Sequence, residues 1–247
     1  MDIAAQIETL RSSAARIGEI GEESPEAPLS TYPGHDVLDL VCHVLTIHEW
    51  VAGIVGDRLP ERPAGRTEYD RSMERILERY DAAWRRLAEV LKAADPTDPV
   101  WTFGADPTVA FWQGRMAHET AIHRWDAERA VGEPAPIPTD VAVAALDEGL
   151  RIHFERLLRK TEVGGVGERV TLRCTNHDAS WTVTLHDIGV EVADGRPEGD
   201  ANGALEGTAS DLWLAMAGRI PVATVASGDG PAVGLLAATV ASLPPAL

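Results

Sequence analysis

Basic residues, cysteines and long apolar runs are all scarce in this chain. Its 247 residues carry 22 Lys and Arg against 39 Asp and Glu, a formal charge of −17. That balance repels phosphate backbones and leaves no basic stripe for nucleic acid or anionic lipid. Only two cysteines occur, Cys42 and Cys174, far apart in the sequence, so no disulfide framework is written into it. No apolar run approaches the roughly 18–20 residues of a membrane span without a break at Gly, Pro or charge. The opening Met1-Asp2-Ile3-Ala4-Ala5-Gln6 lacks the basic and apolar segments of a signal peptide. Together these absences predict a cytoplasmic protein with no nucleic-acid or membrane partner and with its two thiols unbridged.

What is present is helical periodicity, then strand periodicity. Ile3, Ile7, Leu10, Ala14 and Ile17 recur at spacings of three and four over residues 2–20, the signature of an amphipathic helix. Prolines 25, 28 and 33 end it and mark a surface connection. Asp36 then caps a second helix that is apolar around most of its circumference, from Val37 to Ile54, and such a helix belongs at the centre of a bundle. A third helical pattern follows Thr67, through Met73, Ile76, Tyr80, Trp84, Leu87 and Leu91. A fourth runs from about Thr108 to Val131, and a fifth from Asp140 to Lys160. Beyond Gly164-Gly165-Val166-Gly167 the texture changes. Val170, Leu172, Trp181, Val183, Leu185, Val190 and Val192 alternate with polar residues, and a further strand near Ala204 leads into a helix opened around Thr208. The expected fold is α+β, with a helical domain over 1–162 and a small α+β domain over 163–247.

The fourth helix carries ionisable residues where a core face should be. Glu119 and His123 are four apart, so they stand one above the other on the same face, and Asp126 follows on that face, where it could orient the His123 ring. His118 next to Glu119 suggests a zincin, but three residues separate Glu119 from His123 where that motif has two, and the pattern fails on spacing. A Glu–His pair at this spacing is also a common surface feature, so a metal site needs a third ligand. The apolar second helix offers His43 and His48, about 140° apart. His43 lies among Val41, Val44 and Ile47, whereas His48 has Glu49 or water to pair with, so His43 is chosen. His43, Glu119 and His123 would supply three N and O ligands and leave a position open, as catalytic zinc sites require. His153, in the fifth helix, has no partner in view and is read as structural.

Three blocks carry a family likeness: Asp39-Leu40-Val41-Cys42-His43-Val44-Leu45, the stretch from Arg115 to Glu128, and Gly207-Thr208-Ala209-Ser210-Asp211-Leu212-Trp213-Leu214 ending in Gly218-Arg219. In these the chain resembles the mycothiol-dependent maleylpyruvate isomerase family of the DinB-like metalloenzyme superfamily. It departs from the usual family pattern where His35, in place of Trp, follows Pro33-Gly34. The resemblance implies an up-and-down four-helix bundle, a divalent metal (typically zinc) on His43, Glu119 and His123, and a sterol-carrier-like C-terminal domain. It also implies mycothiol as thiol cofactor, a small-molecule substrate, and a catalytic arginine from the C-terminal domain, for which Arg219 is the candidate, reaching the site across an interdomain cleft. Cap duty at the end of its helix is the competing role for Arg219, in which case Arg115 or Arg124 would meet the substrate's charge. Two other functions remain open on the residues alone: a mycothiol S-transferase acting on an electrophile, and a non-catalytic metal- or lipid-binding regulatory module.

Overall fold

The computed structural model describes residues 1–104, 106–196, 201–228 and 230–243, and divides the chain into two compact units, Met1–Ile137 and one from Pro138 on. The first is a bundle of α1 (Ile3–Glu23), α2 (Val37–Gly56), α3 (Ile76–Ala93) and α4 (Val109–Val131). Local chemistry sets the helix starts. Asp2 accepts from the Ala5 amide, and Asp36 and Asp39 form a reciprocal capping box at the head of α2. The third helix starts later than its apolar pattern suggests. Asp70 draws the Ser72 amide into a local turn, and Arg75 takes a left-handed conformation, so Met73 stays outside the helix.

The helix directions differ from an up-and-down bundle. Gly21 of α1 lies against both Val41 and Leu77, Glu49 pairs with Arg86 at 3.0 Å, and Gly56 lies against Val90, so α2 and α3 run parallel. Tyr80 donates to the Ala14 carbonyl at 2.9 Å and Arg11 pairs with Glu89, which makes α1 antiparallel to α3. Gln6 beside Gly114, and Arg16 at 3.8 Å from Glu128, make α1 parallel to α4. The order is therefore up, down, down, up. The reason lies in the connection 57–75, which is long enough to carry the chain back along the bundle, whereas a short loop would have forced antiparallel neighbours. Its second half is tied along α2: the Tyr69 amide donates to Thr46 Oγ1 at 3.3 Å and Arg71 to Asp36 at 2.6 Å.

By length and composition α2 is apolar enough to cross a membrane, contrary to the expectation that no such run exists; it is the bundle's core helix, with most of its apolar residues buried. Against Val44, Leu45, Val51 and Ile54 it also buries a polar group. The fully buried His48 lies 3.0 Å from Thr120 Oγ1, with the Tyr80 ring stacked at 6.3 Å. His48 does not pair with Glu49, whose partner is Arg86.

In the second unit, α5 (Thr139–Glu148) passes through a π-helical stretch, Gly149–Phe154, into α6 (Glu155–Leu158). The sequence groups this helix with the bundle, but it folds onto the sheet. Asp147 accepts from Trp181 Nε1 at 2.9 Å, and Arg151 reaches Asp194 and the Val192 carbonyl. The sheet has the order β3-β2-β1-β4, from β1 (Glu168–Cys174), β2 (Ser180–Leu185), β3 (Val190–Asp194) and β4 (Gly203–Gly207), with β4 parallel to β1 and the other pairs antiparallel. Helices α7 (Ala209–Met216) and α8 (Pro231–Ser242) complete the unit. Gly203 is required where α8 meets β4, because a Cβ there would lie 2.6 Å from Val233 Cγ2. The α+β class and the strand positions match the sequence reading.

Burial, which outweighs the nearby Glu119 charge, pushes the His48 pKa down to about 3, from 6.5. Between these values the unfolded chain binds a proton that the folded chain does not, so stability falls as pH drops below 6.5. Replacing His48 by Leu removes this contribution. In urea denaturation from pH 6.5 to 4, the wild type is expected to lose about 1.4 kcal/mol per pH unit more than His48→Leu; parallel profiles would contradict a neutral buried ring.

Candidate functional site

Two antiparallel helices bring three ionisable side chains together. His43 sits on the face of α2 turned toward α4, and Glu119 and His123 rise one above the other on α4, one turn apart. His43 Nε2 is 3.6 Å and His123 Nε2 3.3 Å from Glu119 Oε1, and the two imidazoles meet edge to face at 5.0 Å. The donor atoms of all three lie within 4.8 Å of one another. His43 and Glu119 keep 14% and 13% of their side-chain surface exposed, so the cluster is reachable from solvent although His123 is buried.

Behind the cluster, polar contacts fix orientation. His123 Nδ1 donates to Asp126 Oδ2 at 3.1 Å, which leaves Nε2 facing Glu119, and the hydroxyl of Thr31 donates to Asp126 Oδ1 at 3.1 Å. Arg115, one turn before Glu119, holds the other carboxylate oxygen, Oε2, so Oε1 faces the histidines. Burial works against the charge on Glu119, but the Arg115 guanidinium, with His123 and His43 beside it, holds its pKa well below the carboxylate range. Burial also opposes protonation of His123, yet Asp126 and Glu119 on either side outweigh it and raise its pKa. Burial lowers the pKa of His43, with Glu119 offsetting this only in part and the charges of His123 and Arg66 adding to the depression.

The donor set fits a small divalent cation. His43 Nε2 is buried and makes no hydrogen bond, standing 3.6 Å from Glu119 Oε1 beside the other two donors. The spacings of 3.3 and 3.6 Å are close to the edge of about 3.3 Å that bonds of about 2.0–2.1 Å give around one tetrahedral centre. Two imidazoles and one carboxylate are zinc-type ligands.

The other sequence-marked residues lie elsewhere. His48 turns to Thr120, and His118, buried on α4, is one residue and about 100° away from Glu119. His153, in the π-helical stretch, is 4.0 Å from Glu148. Arg124 is held by Glu128 at 3.1 Å, with the Ala135 and Pro136 carbonyls also accepting from it. Past α7, Gly218 turns left-handed at φ +72°, and Arg219 donates from its amide to the Leu214 carbonyl and from Nη1 to the Ala217 carbonyl at 2.9 Å, the contacts of a helix cap. Cys42 and Cys174 are buried free thiols. The sequence missed Thr31, which sits in a proline-rich connection with no periodicity to mark it, and Arg66, in the polar loop before α3.

In the metal-free protein the Asp126 carboxylate stabilises the His123 imidazolium, so Asp126→Asn is expected to lower the His123 pKa in an NMR titration of its ring carbons. A titration curve that stays in place would separate the two side chains.

Three comparisons with known proteins bear on this arrangement. Residues 8–128 match the family described as the mycothiol maleylpyruvate isomerase N-terminal domain. Among solved structures, that of a histidine-to-alanine mutant of the mycothiol-dependent maleylpyruvate isomerase superposes with a TM-score of 0.62 at 14% identity, covering 94% of this chain and 95% of that one. A second structure of the mycothiol-dependent maleylpyruvate isomerase gives 0.58 at 14% identity, covering 89% and 90%. No curated protein sequence matches. At this identity the structures speak for the fold, and the family match covers the helices that carry His43, Glu119 and His123. Residues 8–128, the bundle, thus form a domain of the mycothiol maleylpyruvate isomerase N-terminal family.

Proposed function

We propose that the protein is a divalent-metal-dependent thiol enzyme that uses mycothiol and isomerises a cis double bond conjugated with a carbonyl, as in maleylpyruvate. The observation that carries this reading is the convergence of His43, Glu119 and His123 in a bundle of this family, with His43 Nε2 otherwise orphaned. These three residues would hold the metal, with zinc the best match among common ions to the ligand type, and the metal would supply Lewis acidity that makes a bound thiol a thiolate at neutral pH, the nucleophile for reversible addition to the double bond.

The chain's own residues do the rest of the work in this reading. Asp126 holds the His123 ring with Nε2 forward, and Arg115 keeps Glu119 ionised and turned toward the histidines. The nucleophile comes from outside the chain. Burial and then Asp39 push the Cys42 thiol up to about 11, and burial raises Cys174, so neither ionises near neutrality. Charge on an anionic substrate is assigned to Arg219 from the family resemblance; like Arg115 on Glu119 and Arg124 on Glu128, it has a partner of its own, the Ala217 carbonyl, which it would exchange for substrate.

Two tests follow from this assignment. Metal analysis of purified protein is expected to find one zinc per chain, lost in His43→Ala and His123→Ala and retained in Cys42→Ser; Asp126→Ala should weaken zinc by about 10–100-fold. A metal-free wild type that does not take up zinc, or a His43→Ala variant that keeps it, would sink the reading. With mycothiol and maleylpyruvate, Arg219→Ala is expected to reduce turnover by about two orders of magnitude while zinc content stays at the wild-type level. If turnover persists and only the melting temperature drops, Arg219 is a helix cap.

A further inference from the structure

Among the buried polar groups that the mechanism does not use, His48 stands at the interface that carries the cluster. His48 is fully buried among aliphatic residues of α2, and its Nε2 lies 3.0 Å from Thr120 Oγ1. That hydroxyl already donates its single proton to the Met116 carbonyl at 2.7 Å, so it accepts from His48, which must carry its proton on Nε2. His48 Nδ1 then has no proton and no partner. An imidazole with one orphaned nitrogen is a poorer core residue than leucine. Stability alone therefore does not account for it.

Its position does. α2 and α4 provide all three residues of the donor cluster, and His48 and Thr120 join the same two helices, with Thr120 next to Glu119 and His48 about one and a half turns beyond His43. Away from the cluster the buried face of α2 is almost wholly aliphatic, Val44, Leu45, Val51, Ala52, Ile54 and Val55, and such a surface fixes separation better than axial register. A slip of one helical turn would carry His43 about 5.4 Å away, whereas a ligand set needs placement to about 0.5 Å. A directional bond inside an apolar interface is a device that specifies register.

We propose that His48 and Thr120 form a positioning pair that sets the register of α2 against α4 and so brings His43 to Glu119 and His123. The proposal rests on the metal-site reading above. It assigns to the pair no contact with substrate or metal.

The test measures zinc affinity by competition with a chromophoric chelator, well below the melting temperature, together with the melting temperature of the metal-free protein. His48→Leu and Thr120→Val are each expected to weaken zinc by about tenfold or more, in the range usual for residues that orient ligands. The double variant should lose no more than the worse single one, because the two act as one bond. Thr120→Ser, which keeps the hydroxyl, should stay within about threefold of wild type. Metal-free His48→Leu should melt no lower than wild type at pH 7.5. Unchanged zinc affinity in His48→Leu and Thr120→Val, with only the melting temperature lowered, would overturn the proposal and leave a packing role. Losses that add in the double variant would overturn it too, since the residues would then act separately. If the wild type itself binds no zinc, the proposed function fails first, an outcome distinct from equal zinc affinity in wild type and variants.

Discussion

Glu119 keeps its charge in the interior of a helical bundle because a guanidinium and two imidazoles converge on it. Desolvating a carboxylate costs several kcal/mol unless it is paired and hydrogen-bonded. Arg115 meets one oxygen from its own helix, and His123 and His43 face the other from α4 and α2. Asp126 then holds His123, and Thr31 holds Asp126, so the compensation extends from a core helix into the connection between α1 and α2. A small cation at the Oε1 side would answer the same electrostatic need as a proton on His123.

Much of this centre was legible because helices impose a fixed period. A step of four from Glu119 to His123, and of three more to Asp126, places all three on one face whatever packs against it. The choice of His43 over His48 reached the observed partner, but its reason differed: His48 is not near solvent or Glu49 but bonded to Thr120 deep in the core. Which of two histidines on an all-round apolar helix turns to a given neighbour depends on the rotation of that helix, and α2 offers no polar face to reveal it. Thr31 was illegible for a different reason, since a single hydroxyl in an irregular segment has no repeat to stand out from.

Tertiary arrangement is less legible than periodicity. Periodicity identifies a helix but carries no sign for its direction, so the parallel pairing of α2 and α3 was hidden until Glu49 was seen against Arg86. The fifth helical pattern was equally readable as bundle or as cover for the sheet. Asp147 and Arg151, which tie it to Trp181 and Asp194, look in sequence like any solvated charges. The π-helical stretch from Gly149 to Phe154 adds a residue to one turn of that helix, and no local composition announces it.

The connection between α2 and α3 has more chain than its path demands. Returning along an 18-residue helix means covering about 27 Å, which about eight or nine extended residues span, and 57–75 provides nineteen. The surplus lies before Arg66, because Tyr69 and Arg71 are already bound to Thr46 and Asp36. Asp57 to Arg62 is itself tied down, by Arg58 on Asp98, the Leu59 carbonyl on the Trp101 amide and Arg62 over the Trp101 ring, so the slack lies at Pro63 to Gly65, a natural point for insertion, splitting or rejoined termini: a reporter grafted there would lengthen free chain while the segments on either side kept their anchors.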